Sequence, residues 1–285
     1  MPEIAFVNGK FSPLDDATVH VEDRGFQFAD GVYEVVRTYG GQPFAIDEHL
    51  TRLFRSLSAI ELESSVPQDQ LKSVIQEGIR RAKFSEVLVY LQITRGRARR
   101  HRGIPAEAQP TIVMTVREMS PRSEKLRSDG ISVVTVPEFR WTRCDIKSIA
   151  LLPSVLAYQM ARKAGAGDAI FTEDDGTVNE STAGNVFVVT HGCLRTPPKT
   201  PRILPGVTRD KILETARSIG VATAEERLVK SDLFGAEEMF LTSTTAEITP
   251  VVSVDGKKIG DGISGPVSAR LYDQFARLFI HDCVP

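Results

Sequence analysis

The chain has 285 residues, 41% hydrophobic and 25% charged, with a net charge of -2. That balance is globular rather than disordered or fibrous, gives nucleic acid and anionic membranes no global attraction, and suffices for one large or two modest domains. Of its 35 basic residues, 24 are Arg; codon bias is one reading, and guanidinium forks serving carboxylates or phosphates is the other.

Residues 4–7, an Asn8-Gly9 turn and residues 10–14 read as a hairpin, not as a charged and apolar leader. Residues 32–39 and 43–46 flank Gly40-Gly41 as a second hairpin. Asp47 is then expected to cap a helix in which Leu50, Leu53, Phe54, Leu57 and Ile60 recur at helical spacing. A second helix is expected over 67–83, followed by apolar strands at 87–94 and 111–116 around a basic loop. The polar stretch 119–125 contains Pro121 and is the expected linker, dividing a domain of residues 1–120 from one of residues 121–285.

The second half alternates. Strands are expected at 131–136, 169–172, 185–190, 239–243 and 250–254, and helices at 153–164, 207–219 and 265–280. Gly220 stops the middle helix. The composite is a mixed α/β (α+β) fold of two domains. No apolar run approaches about 18 residues, so no membrane span is expected and a cytoplasmic setting is the default. Cys144, Cys193 and Cys283 are scattered without a CxxC, and the five His form no cluster, so no metal site is expected.

Five features carry potential chemistry. Lys147 follows Arg140 and Arg143 and enters a mostly apolar stretch. Either its stem crosses apolar surface with the ammonium in water, or desolvation and nearby cations favour a neutral amine able to form a Schiff base. Glu180 lies before an apolar strand; it is a solvated charge or the carboxylate that holds a proton on a heteroaromatic nitrogen. Gly206-Val207-Thr208 opens a helix with free amides, and Thr242-Ser243-Thr244-Thr245 offers hydroxyls after a strand. Both suit a phosphate, or simply satisfy their own backbone. The loop from Arg95 to Gly103 holds five Arg and one His. It is a solvated basic loop, a nucleic-acid contact, or a clamp for substrate carboxylates. No P-loop or Gly-rich dinucleotide fingerprint is present.

In order along the chain, Glu22-Asp23-Arg24-Gly25-Phe26-Gln27-Phe28-Ala29-Asp30-Gly31-Val32-Tyr33-Glu34, Glu48-His49-Leu50-Thr51-Arg52-Leu53, Arg143-Cys144-Asp145-Ile146-Lys147-Ser148, Glu180 with Asn185-Val186-Phe187, Gly206-Val207-Thr208-Arg209-Asp210 and residues 242–250 resemble the D-amino-acid aminotransferases. These belong to the fold-type IV pyridoxal phosphate enzymes. The resemblance implies two domains with pyridoxal 5'-phosphate in the cleft between them, and a homodimer. It implies that Lys147 holds the cofactor as a Schiff base and shuttles the proton, and that Glu180 faces the pyridine nitrogen. Arg52, Val207, Thr208 and Thr244 then bind phosphate, with Arg140 and Ser243 near the cofactor. Tyr33 helps to bind the substrate carboxylate. The implied reaction is transamination between a D-amino acid, such as D-alanine or D-glutamate, and a 2-oxo acid, such as 2-oxoglutarate or pyruvate.

One departure stands out. The family's Arg-x-His carboxylate trap reads Arg100-His101-Arg102 here, with Arg102 at the histidine position. An extra Arg there suits acidic substrates. Two rivals share the scaffold: a branched-chain L-amino-acid aminotransferase and an aminodeoxychorismate lyase. The run Tyr90-Leu91-Gln92-Ile93-Thr94-Arg95-Gly96 lacks the aromatic-Arg-Pro pattern of the branched-chain enzymes, which favours the D-amino-acid reading. Small amino and 2-oxo acids are the expected partners, not nucleic acid or a membrane.

Overall fold

The computed structural model describes residues 3–120 and 124–282. The chain divides into two compact units, one of Met1–Pro121 with Ile146–Ala150, the other of Arg122–Asp145 with Leu151–His281. Lys147 therefore groups with the first unit, away from the chain that flanks it.

The first unit runs β1 (Ile4–Val7), β2 (Lys10–Pro13), α1 (Arg24–Phe28), β3 (Gly31–Tyr39), β4 (Gln42–Pro43), α2 (Ile46–Ala59), α3 (Gln68–Ala82), β5 (Val87–Thr94) and β6 (Thr111–Glu118). Its sheet is antiparallel in the order β2-β1-β6-β5-β3-β4. Alternate residues Val87, Val89, Leu91 and Ile93 of β5 are buried, so one face of the pleat meets the helices. Leu50, Leu53 and Leu57 of α2 and Leu71, Ile75 and Ile79 of α3 complete this core.

Two local expectations fail here. The strand expected over 43–46 stops at Pro43, which has no N–H to extend the ladder. Asp47 does not cap α2: Ala45 does, in the left-handed region at φ 52°. Asp47 sits in the first turn instead, where a carboxylate suits the helix dipole, and takes Lys72 Nζ at 2.7 Å.

The second unit runs α4 (Glu124–Asp129), β7 (Ile131–Pro137), α5 (Leu152–Lys163), β8 (Asp168–Thr172), β9 (Val178–Ser181), β10 (Asn185–Thr190), β11 (Cys193–Thr196), α6 (Val207–Ser218), β12 (Thr223–Glu225), α7 (Lys230–Phe234), β13 (Glu238–Ser243), β14 (Glu247–Val254), β15 (Lys257–Lys258) and α8 (Pro266–Asp282). The linker expected over 119–125 falls partly outside the described residues, and α4 already begins within it.

Its strands follow the order β12-β11-β10-β13-β14-β7-β8-β9, and β9 pairs back onto β10 through Asn185 and Glu180. The strands from β10 to β9 therefore close a ring. Val186, Val188, Leu241, Val251, Val133 and Ile170 fill its core. Among described residues no helix is long and apolar enough to cross a membrane.

Candidate active site

Lys147 is fixed through its backbone. In the first unit β4 pairs with β3 only at Thr38 and Tyr39, which leaves the other end of that edge open. The lysine segment occupies it: Tyr33 N donates to Lys147 O at 3.0 Å, Ile149 N donates to Gly31 O at 3.2 Å, and Ser148 bridges Val32. Gly31 is required there, because a Cβ would press on Ile93 O and Ile149. From α2, buried Ser56 accepts the Lys147 amide at 3.2 Å. The Lys147 Nζ lies 4.2 Å from the centre of the Tyr33 ring, which stacks on Tyr90. Burial, with Tyr33 adding, pushes the Tyr90 hydroxyl up to about 12, so Tyr90 stays a neutral donor to Gln92 at 2.7 Å.

Arg52 is buried beside a carboxylate that sequence reasoning did not single out. Its Nε donates to Glu34 Oε1 at 2.6 Å and its Nη2 to Glu34 Oε2 at 2.9 Å. His49 Nδ1 meets the same Oε2 at 2.8 Å. Burial pushes the Glu34 carboxyl up, but Arg52 and His49 overcome this and hold it far below the usual carboxylate range. Burial lowers the His49 imidazole and outweighs Glu34, which favours a neutral ring donating from Nδ1. Its Nε2 is buried without a hydrogen-bond partner among the described residues. His49, Arg52 and Ser56 form a polar stripe along α2 at helical spacing.

The basic loop belongs to this unit too. Arg95 is not solvated: it is buried, pairs with Asp30 at 2.9 Å, and donates to Ile60 O and Glu61 O at the end of α2. Arg24 pairs with the same Asp30 and donates to His101 O at 2.6 Å, which fixes the loop's path. Arg100 stacks 4.5 Å above Phe28 and donates to Gln27 O. The His101 Nδ1 accepts Gly103 N, so this ring serves its own loop. Arg102 is exposed.

Glu180 stands where the second unit's ring of strands closes. Sequence reading missed its strand, β9, entirely. Glu180, Asn185 and Thr242 are laterally paired across β9, β10 and β13, so their side chains share one face. The Glu180 Oε1 accepts Arg140 Nη1 at 2.6 Å. Its Oε2 accepts Leu204 N at 3.0 Å and Asn185 Nδ2 at 3.3 Å. Arg140 also pairs with Glu138, and Arg143 pairs with Asp145. Both cations that the sequence sets near Lys147 are thus engaged by carboxylates.

Val207 and Thr208 are buried in the first turn of α6, whose cap, Gly206, makes no side-chain hydrogen bond. Their amides are the natural anion donors of a helix start. Gly206 has no room for a Cβ, which would collide with Asn185 Oδ1. Asn185 Nδ2 also donates to Leu204 O at 2.9 Å and so ties Glu180 to this turn. Ser243 and Thr244 lie at the β13–β14 hairpin, where Ser243 Oγ accepts Ala246 N. Next to them, Thr242 Oγ1 is buried without a partner among the described residues.

The structure therefore gathers Lys147, Tyr33 and Arg52 in one unit and Glu180, Arg140, Val207 and Thr208 in the other. The residues fit pyridoxal phosphate: an uncapped α6 start suits its phosphate, and a carboxylate fed by several donors suits a protonated ring nitrogen. Among described residues no group of three or more His, Cys, Asp or Glu is placed to hold a metal.

Comparison with known proteins agrees in kind. A family described as amino-transferase class IV matches residues 31–254. A D-alanine aminotransferase of Bacillus licheniformis is 40% identical over 264 residues, 93% of each chain. One of Staphylococcus haemolyticus is 37% identical over 95% of each. A solved branched-chain amino acid aminotransferase from Escherichia coli is 29% identical with a TM-score of 0.89, over 98% of this chain and 95% of that one. Another, a T.th. enzyme solved with pyridoxamine 5'-phosphate, is 25% identical with a TM-score of 0.92, over 98% of this chain and 94% of that one.

Proposed function

The chain belongs to the class IV aminotransferases, and on that premise we propose that it transfers the amino group of a D-amino acid to a 2-oxo acid with pyridoxal phosphate as cofactor. The observation that carries the D-amino-acid choice is the 40% identity to a D-alanine aminotransferase across 93% of both chains. D-alanine and D-glutamate are the proposed donors, and pyruvate and 2-oxoglutarate the acceptors.

When bound, the cofactor supplies an aldehyde for amines and a ring that spreads negative charge. Lys147 Nζ would hold the aldehyde in the resting enzyme and, once the donor's amine has displaced it, would be the free base that takes the donor's α-proton and returns it. The backbone clamp from Ser56 and Tyr33 supports this reading, because it leaves only the side chain of Lys147 to move. Glu180 holds a proton at the ring nitrogen. Val207, Thr208, Thr244 and Arg52 bind the phosphate, with Ser243 and Arg140 beside the cofactor. Tyr33 orients the substrate carboxylate and Arg100 pairs with it. Arg102, in place of a histidine, adds a second cation for acidic substrates, while His101 shapes the loop.

A homodimer is the proposed working unit. Leu152, Val155 and Leu156 on α5 are more than half exposed, and a second copy covers them. The cytoplasm is the proposed compartment, in keeping with the free thiols of Cys144 and Cys193.

The test pairs D-alanine or L-leucine with 2-oxoglutarate in a coupled assay. Activity with D-alanine is expected. The branched-chain structures make L-leucine the competing donor, and activity with L-leucine alone overturns the proposal. The purified protein is expected to be yellow, and Lys147→Ala to lose the covalent link to the cofactor.

A further inference from the structure

Arg140 serves two carboxylates at once. Glu138, just beyond β7, has a side chain only 1% exposed. It takes the two-pronged side of the guanidinium, with Nε at 3.0 Å from Oε1 and Nη2 at 2.7 Å from Oε2. The Arg140 backbone amide adds a third donor to Oε1 at 2.9 Å. Asn179, the neighbour of Glu180 on β9, donates from Nδ2 to Glu138 Oε2 at 2.9 Å and to Glu173 Oε1 at 2.9 Å. The remaining Nη1 reaches Glu180 Oε1 at 2.6 Å. The guanidinium carbon lies over the Phe171 ring, 4.2 Å from its centre, with Nη2 also donating to Arg202 O. It cannot turn its fork toward Glu180 without giving up Glu138.

One cation is therefore divided between two buried anions. A bidentate guanidinium neutralises a carboxylate more fully than a single N–H. Were the fork on Glu180, the hydrogen bonds and charge of Arg140 would drain that carboxylate and weaken its hold on any external proton. With the fork on Glu138, Glu180 keeps more of its charge.

We propose that Glu138 is a positioning residue: by holding the two-pronged side of Arg140, it leaves Glu180 with a one-pronged contact and a carboxylate strong enough to retain the proton on the cofactor's ring nitrogen. This inference rests on the proposed role of Glu180. It assigns to Glu138, whose contacts run to Arg140 and Asn179, a part in the chemistry that runs through Arg140.

The test uses the holoenzyme loaded with pyridoxal phosphate carrying nitrogen-15 in its ring. In Glu138→Gln the resonance is expected to move toward the value of an unprotonated pyridine. A fall in kcat is expected alongside it, with the donor KM little changed. A merely structural role would alter stability without moving the ring-nitrogen resonance. If Glu138→Gln does not fold, Glu138→Asp is used instead: it keeps the charge but is one methylene shorter, cannot hold both prongs of Arg140, and is expected to move the resonance in the same direction by less. An unmoved resonance in the folded variant overturns the inference. A wild-type protein with no covalent cofactor at Lys147 refutes the proposed function instead, so the two failures are distinguishable.

Discussion

The Glu34→Gln substitution tests whether the buried ion cluster of the first unit holds Arg52 in place. Glu34 is 1% exposed and accepts Arg52 Nε, Arg52 Nη2 and His49 Nδ1. The amide is nearly isosteric, so packing survives while the charge is lost. Arg52 then remains buried at 7% exposure with a neutral partner. Removing one partner of a buried pair costs about 3–5 kcal/mol. For a unit of this size that corresponds to a fall in Tm of roughly 10 °C. The assay is urea unfolding of the cofactor-free protein at neutral pH, read by circular dichroism. The same variant separates charge from packing in acid. The carboxyl of Glu34 is depressed in the folded state, so its contribution is present above the ordinary value of 4.5 and is lost as the pH falls below it toward the folded value. The wild type is therefore expected to lose stability more steeply below that point than Glu34→Gln. A loss under about 1 kcal/mol at neutral pH, the size of an exposed pair, with parallel acid limbs in the two proteins, would refute the reasoning.

The remaining predictions concern each of the two units by itself. Gly206→Ala forces a Cβ into Asn185 Oδ1 at the start of α6; the cost of overpacking, about 1–3 kcal/mol, is expected to appear as weaker pyridoxal phosphate binding in equilibrium dialysis, and unchanged binding would count against an anion site at that turn. Ser56→Ala removes the acceptor of the Lys147 amide; a loss of about 1 kcal/mol in stability is expected, with a fall in kcat at constant KM because the lysine backbone loosens. Glu238 accepts Val267 N, Ser268 N and Ser268 Oγ at the start of α8; Glu238→Ala is expected to cost about 1–3 kcal/mol in urea unfolding while leaving cofactor affinity unaltered.

What was legible in the sequence follows from which signals are local. Regular periodicity exposed β5 and the apolar stripe of α2, because one face of each meets the core and the pattern repeats every two or every three to four residues. The strand β9 broke that rule: all four of its residues are buried, including Asn179 and Glu180, so it has neither alternation nor an apolar run. Its polar side chains are buried because partners from distant segments satisfy them, among them Arg140, Leu204 and Glu138. The cap of α2 failed for a related reason, since Ala45 reaches a left-handed backbone and the expected cap, Asp47, is drawn to Lys72 on α3. Glu34, by contrast, left a readable trace. Along β3, Val32, Glu34 and Val36 are all buried, so the pleat turns a carboxylate to the same core-facing side as two valines. A charge at a core position demands a buried partner, and the stripe His49, Arg52, Ser56 on α2 supplies one. Glu138 left no such trace. It follows the end of a strand, two residues before Arg140, where a surface ion pair would look the same; only the position of Glu180 on the far side of that guanidinium turns the pair into a divided charge.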